Sequence, residues 1–184
     1  MNRRVSIVLL CEDSQQEAFV RRFLKGTGWE TREIRVEKSP GAKGSAEQWV
    51  RENFPKELVE YRRRKARAAS ALIAVIDADT RSVQQRHNEF KEACSEKNMP
   101  FRNDDDSIAI IVPKRNIETW VYYLEGNAVD EDTLYPKLQR ERNCRLSVER
   151  LLKLCRTTGL IMDAPSSLTA ACDEYNRRIK ILMK

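Results

Sequence analysis

The chain has 184 residues, 41% of them apolar and 34% charged, which suits one stably cored domain and excludes a disordered composition. Lys and Arg number 34 against 28 Asp and Glu; the resulting +6 favours a polyanionic partner only weakly, because clustering and not total charge carries that signal. Five widely spaced cysteines with no C-x-x-C pair read as reduced thiols, the single His87 disfavours zinc, and no apolar run approaches the roughly 18 residues of a membrane span, so a cytoplasmic protein without a membrane partner is expected.

Residues 5–11 form an apolar run with no helical period and read as a buried central strand. A helix follows, with Ser14 as its cap, Glu17 in the capping-box position, Phe19, Val20, Phe23 and Leu24 as its buried face, and Gly26 and Gly28 at its end. Residues 31–38 alternate and predict a strand near an edge. The loop SPGAKGS leads to a long helical segment over 46–68, with a possible interruption at Pro55.

Residues 71–76 (ALIAVI) are the next buried strand, ending at Asp77, and 82–97 are helical in pattern. After a polar connection, 107–112 (SIAIIV) are a further apolar strand, stopped by Pro113. Ile117, Trp120, Val121 and Leu124 mark another amphipathic helix, closed by Gly126. Alternating strands and helices predict an α/β fold: an open, mainly parallel sheet with helices on both faces over residues 1–126. Residues 127–184 read as a helical C-terminal appendage, with a short helix over 148–155 and a last one over 166–182 opened by Pro165.

Acids stand directly after the apolar strands: Glu12 and Asp13 after the first, Asp77 and Asp79 after ALIAVI. In a parallel sheet these positions gather beyond the carboxyl ends of the strands. If the strand continues through Asp77 and Asp79, their side chains share a face. Carboxylates within about 4 Å repel by several kcal/mol at the effective dielectric near a surface, and a divalent cation offsets that. Oxygen-only ligands suit Mg²⁺ or Mn²⁺.

CEDSQQEAF after the first strand and VIDADT after a later one resemble the Toprim fold, the metal-binding domain of topoisomerases, primases and the nuclease halves of overcoming-lysogenization-defect-type phage-defence proteins. The resemblance covers residues 5 to about 120. It implies a magnesium- or manganese-dependent nuclease, acting on nucleic acid, either alone or with a partner protein of a defence complex. Glu12 would serve as general acid or base or as ligand, and Asp77 and Asp79 as ligands. Asp13 stands where the family usually has Gly, and Gln16 where it often has an acid; Asp13 is then either a further metal ligand or the mark of an altered, degenerate site.

PKRNIETW places Lys114, Arg115 and Glu118 just past the third buried strand, where a cation can hold a phosphate and Glu118 can complete or position a ligand set. PGAKGS offers Lys43 before a helix, without full Walker spacing, and the run YRRRKAR over 61–67 is either a nucleic-acid contact or a solvated helix face. VLLCEDS also resembles the opening of a response-regulator receiver domain. That likeness implies Glu12 and Asp13 as an acidic pair, Asp77 or Asp79 as phosphoacceptor, and Lys114 as the lysine. A binding subunit with a decayed site is the third reading.

Overall fold

The computed structural model describes residues 6–41, 45–157 and 163–183. Four parallel strands, β1 (Ser6–Cys11), β2 (Ile34–Lys38), β3 (Ser70–Val75) and β4 (Ile108–Ile111), form one open sheet in the order β2-β1-β3-β4. The helices are α1 (Ser14–Gly26), α2 (Ala46–Lys65), α3 (Val83–Glu96), α4 (Ile117–Leu124), α5 (Arg145–Thr157) and α6 (Ser166–Arg178).

The apolar runs are buried on both faces, and their alternation assigns the faces. Ile7, Leu9 and Cys11 of β1, Ala71, Ile73 and Val75 of β3, and Ala109 and Ile111 of β4 pack with Phe19 and Leu24 of α1 and with Trp120 of α4. Val8 and Leu10, Leu72 and Ala74, and Ile108 and Ile110 face Val50, Phe54 and Leu58 of α2 and Phe90 and Cys94 of α3. A strand covered by helices on both sides has no polar face, which is why these segments lack strict alternation of apolar and polar residues. The C-terminal helices belong to the first of these cores, contributing Val148, Leu151, Leu168, Ala171 and Tyr175. Where α1 ends against α5, a Cβ on Gly26 would stand 2.2 Å from Leu152 Cδ1, so this glycine serves close helix approach as well as helix termination.

β2 is an edge strand, as its mixed pattern implies. The opposite edge is closed by side chains. Arg102 donates to the carbonyl of Ile108 at 2.6 Å, and Glu174 of α6 accepts from the Ile110 N–H at 3.0 Å. Arg102 and Glu174 also pair with each other. Together they supply β4 with one donor and one acceptor in place of a further strand.

Several local expectations are corrected. Asp13, not Ser14, caps α1: its backbone is extended and its carboxylate accepts from the Gln16 N–H at 2.9 Å. Glu17 leaves the cap for Lys38 and Arg21, each at 2.9 Å. α2 runs through Pro55 without a break, with the ring buried. The last helix stops at Arg178 and continues as a separate 3-10 turn over Lys180–Met183. Lys43 lies outside the described residues.

Candidate functional site at the carboxyl edge of the sheet

β1 and β3 are adjacent and parallel, so the residues that follow them emerge side by side. Glu12 Oε1 accepts a short hydrogen bond from the Asp77 N–H. Gln16, fully buried one turn into α1, embraces Glu12. Its Oε1 accepts from the Glu12 N–H at 2.9 Å and its Nε2 donates to Glu12 Oε1 at 3.2 Å. Gln16 is therefore a neutral clamp on the glutamate.

Asp77 continues the parity of Ile73 and Val75 and so falls on the α1 and α4 side of the edge. Its Oδ1 is sealed from solvent with no hydrogen-bond partner. Burial, then the negative charges of Glu12, Asp13 and Glu118, hold its carboxyl well above the usual range, with Gln16 acting against the shift. Glu118, in the first turn of α4, is 2% exposed, and its Oε1 is likewise sealed and unpartnered. Burial and the neighbouring Asp13 raise it as well, while Lys137 opposes the shift. Burial pushes the Glu12 carboxyl up to about 7, with Asp79 adding to the effect and the Asp77 N–H, Gln16 and Arg86 acting against it. Five acids, Glu12, Asp13, Asp77, Asp79 and Glu118, are thus gathered past β1 and β3 and in the first turn of α4, and burial with their negative charges raises Glu12, Asp77 and Glu118.

Asp79 departs from the expected arrangement. β3 ends at Val75, and Asp79 takes a left-handed backbone with φ of +53°. The alternation that would put Asp77 and Asp79 on one face is therefore lost. Backbone bonds from Ala78 to the Pro113 carbonyl, at 2.8 Å, and from Asp79 to the Arg115 carbonyl, at 3.0 Å, hold this turn against the chain leaving β4. The Asp79 carboxylate turns to Arg86, 3.2 Å from Nη2.

Arg86 has no counterpart among the expected site residues. It is fully buried, donating to the Asp77 carbonyl at 3.0 Å, to Glu47 at 3.1 Å and to Glu89 at 2.9 Å. A signal for it exists: Arg86 stands four residues before Phe90 and eight before Cys94, on the buried stripe of α3. A charge in that stripe calls for carboxylate partners.

Basic residues close β2 and follow β4. Lys114 Nζ donates to the Arg81 carbonyl at 2.8 Å and lies 3.9 Å from Asp132, while its backbone N–H donates to Ser167 at 3.1 Å. Arg115 is left-handed, with φ of +68°, and its Nε is sealed without a partner. Lys38, at the end of β2, is held by Ser14 and Glu17. The basic run is elsewhere: it closes α2 just before β3 begins, at the amino end of the sheet. There Arg62 binds the carbonyls of Pro100 and Phe101, Arg63 pairs with Glu60, Arg64 lies 3.6 Å from Glu57, and Lys65 meets Asp106 at 2.6 Å.

The donor set at the acid edge is oxygen-only, which suits a hard divalent cation. Among the described residues, no group of three or more His, Cys, Asp or Glu side chains is arranged to hold a metal ion. Magnesium is commonly held by one or two carboxylates, with water and substrate oxygens completing its shell. The unpartnered oxygens of Asp77 and Glu118 fit that lighter form of site. Among the described residues no helix is long and apolar enough to cross a membrane. No family model, curated protein or solved structure matches the chain.

Proposed function

We propose that the chain is a Toprim-like enzyme that hydrolyses phosphodiesters of nucleic acid with the help of Mg²⁺ or Mn²⁺, as a nuclease or as the nuclease subunit of a defence complex. The observation that carries this reading is the convergence of Glu12, Asp77 and Glu118 beyond β1, β3 and β4, with buried oxygens of Asp77 and Glu118 left unpaired. Buried carboxyl oxygens without partners are costly, and a cation with its bound water would satisfy them.

When bound, the divalent ion supplies charge neutralisation and polarisation of a phosphoryl oxygen. Asp77 would hold it, with Glu118 beside it. Glu12 has a different task. The Asp77 N–H and Gln16 Nε2 both donate to its Oε1, which leaves Oε2 to take a proton from an attacking water or return one to the leaving oxygen. A carboxyl pushed up to about 7 is matched to proton transfer near neutrality. Lys114 and Arg115, on the chain leaving β4, would offer positive charge to a phosphate at the edge. Asp79 acts through Arg86, shaping the turn that presents Asp77.

Cleavage assays with single- and double-stranded DNA and RNA in Mn²⁺ test the proposal. Wild-type protein should cut at least one of them and Asp77→Asn none, with unchanged circular dichroism. Wild-type protein inert on every substrate, alone and with the products of neighbouring genes, would sink it.

A further inference from the structure

Three of the five cysteines, Cys11, Cys94 and Cys144, are buried, and burial pushes each thiol up, Cys11 to about 12 and Cys94 to about 11. The other two differ in both exposure and company. Cys155 on α5 and Cys172 on α6 are partly exposed, and their sulfurs lie 3.1 Å apart as free thiols. Neither helix contains the other partner, so the approach is a product of how α5 and α6 pack on the sheet.

We propose that Cys155 and Cys172 form an oxidation site, a thiol pair that closes to an intramolecular disulfide on exposure to a peroxide and staples α5 to α6. Bond formation needs the sulfurs to close by about 1 Å, to the disulfide length of about 2.05 Å. Room for that movement exists on one side: a small apolar cavity of about 50 Å³ is lined by Cys172 together with Leu151, Leu168 and Ala171. The hydrogen bond between the thiols favours ionisation of Cys155, which makes it the attacking sulfur.

The chemistry balances with the peroxide as the sole oxidant. The Cys155 sulfur attacks one peroxide oxygen, the O–O bond breaks, and the sulfur becomes a sulfenic acid while the other fragment leaves as an alcohol or water. The Cys172 sulfur then attacks the sulfenic sulfur, expelling water and losing its proton. Two thiols have lost two electrons, and the peroxide bond has taken them. The ring closed links residues 17 positions apart, a span over which a crosslink restricts the unfolded chain appreciably. The joined helices include Ser167, whose hydroxyl accepts from the Trp120 Nε1–H at 2.9 Å and from the Lys114 N–H, so the staple fixes a segment that reaches the carboxyl edge.

The full-length protein, treated with hydrogen peroxide, is denatured and alkylated, and its intact mass and peptide map are recorded. Untreated protein should take up five alkyl groups and oxidised protein three, with one crosslinked peptide containing Cys155 and Cys172. Dithiothreitol should restore five. The melting temperature of the oxidised form should rise by a few degrees. Cys155→Ser and Cys172→Ser should each abolish the link, while Cys144→Ala, verified as folded, should retain it. Five alkylations after peroxide, a link that includes Cys11, Cys94 or Cys144, or a disulfide found only between two chains would overturn the proposal.

Discussion

The backbone N–H of Asp77 donates to Oε1 of Glu12, tying together the ends of two adjacent strands across 65 residues of sequence. The contact places one acid where the other's main chain neutralises part of its charge. It also makes the two ionisations a property of the pair.

Glu12 gives the protein a pH signature. Its carboxyl is raised in the folded state to about 7 from an ordinary value of 4.5, so the folded form binds the proton more tightly. This contribution to stability is fully present below about pH 4.5 and is lost as pH rises through 7. Chemical denaturation in EDTA should show stability falling as pH rises from about 4.5 through 7, by about 1–3 kcal/mol for the Glu12–Asp77 pair. Glu12→Gln should make that slope shallower.

Metal should reverse the loss. Millimolar Mg²⁺ or Mn²⁺ at pH 8 should raise the melting temperature by several degrees, because a ligand bound only by the folded state stabilises it by mass action. Asp77→Asn should remove the shift. Differential scanning fluorimetry with and without metal reads both, and an equal shift in the variant would count against Asp77 as a ligand.

Arg86 should be the most sensitive position at the edge. Replacing it with Met removes the cation shared by Glu47, Glu89 and Asp79; because Glu47 keeps Arg51, Glu89 keeps Arg81 and Asp79 is half exposed, the loss should fall below the about 3–5 kcal/mol of a fully buried pair. Arg86→Lys should recover only part of this, since one ammonium cannot reach the Asp77 carbonyl and all three carboxylates with a fork's geometry. Urea denaturation measures the difference.

Glu174→Gln should weaken the docking of α6. The variant keeps an acceptor for the Ile110 N–H and loses the charge that meets Arg102, itself 8% exposed at the side chain. A loss of about 1–3 kcal/mol is expected, with faster amide exchange in β4 as its local readout.

Much of the fold was legible in the apolar runs, because strands buried on both faces and followed by helices leave few other packings. The acids at the strand ends were legible for the same reason: an apolar run that stops at Glu12 or at Asp77 marks the edge where a parallel sheet meets solvent. Asp79 was not. Its orientation depends on a left-handed backbone held by carbonyls from the chain after β4, and no local pattern encodes that contact. The choice of Asp13 over Ser14 as cap turned on which residue left the extended conformation first, a difference of one position that capping preferences alone do not resolve. Arg86 was detectable by its helical spacing, although its partners were not. The meeting of Cys155 with Cys172 arises only from tertiary packing.

The Arg102–Glu174 pair makes the C-terminal extension a sheet terminator. Side chains that occupy the outward donor and acceptor of β4 deny that edge to any other extended peptide. A chain cut before α6 would therefore lose more than one helix. It would expose an adhesive strand of four apolar residues, Ile108 to Ile111, and its expected fate is self-association by edge pairing rather than a smaller version of the same protein.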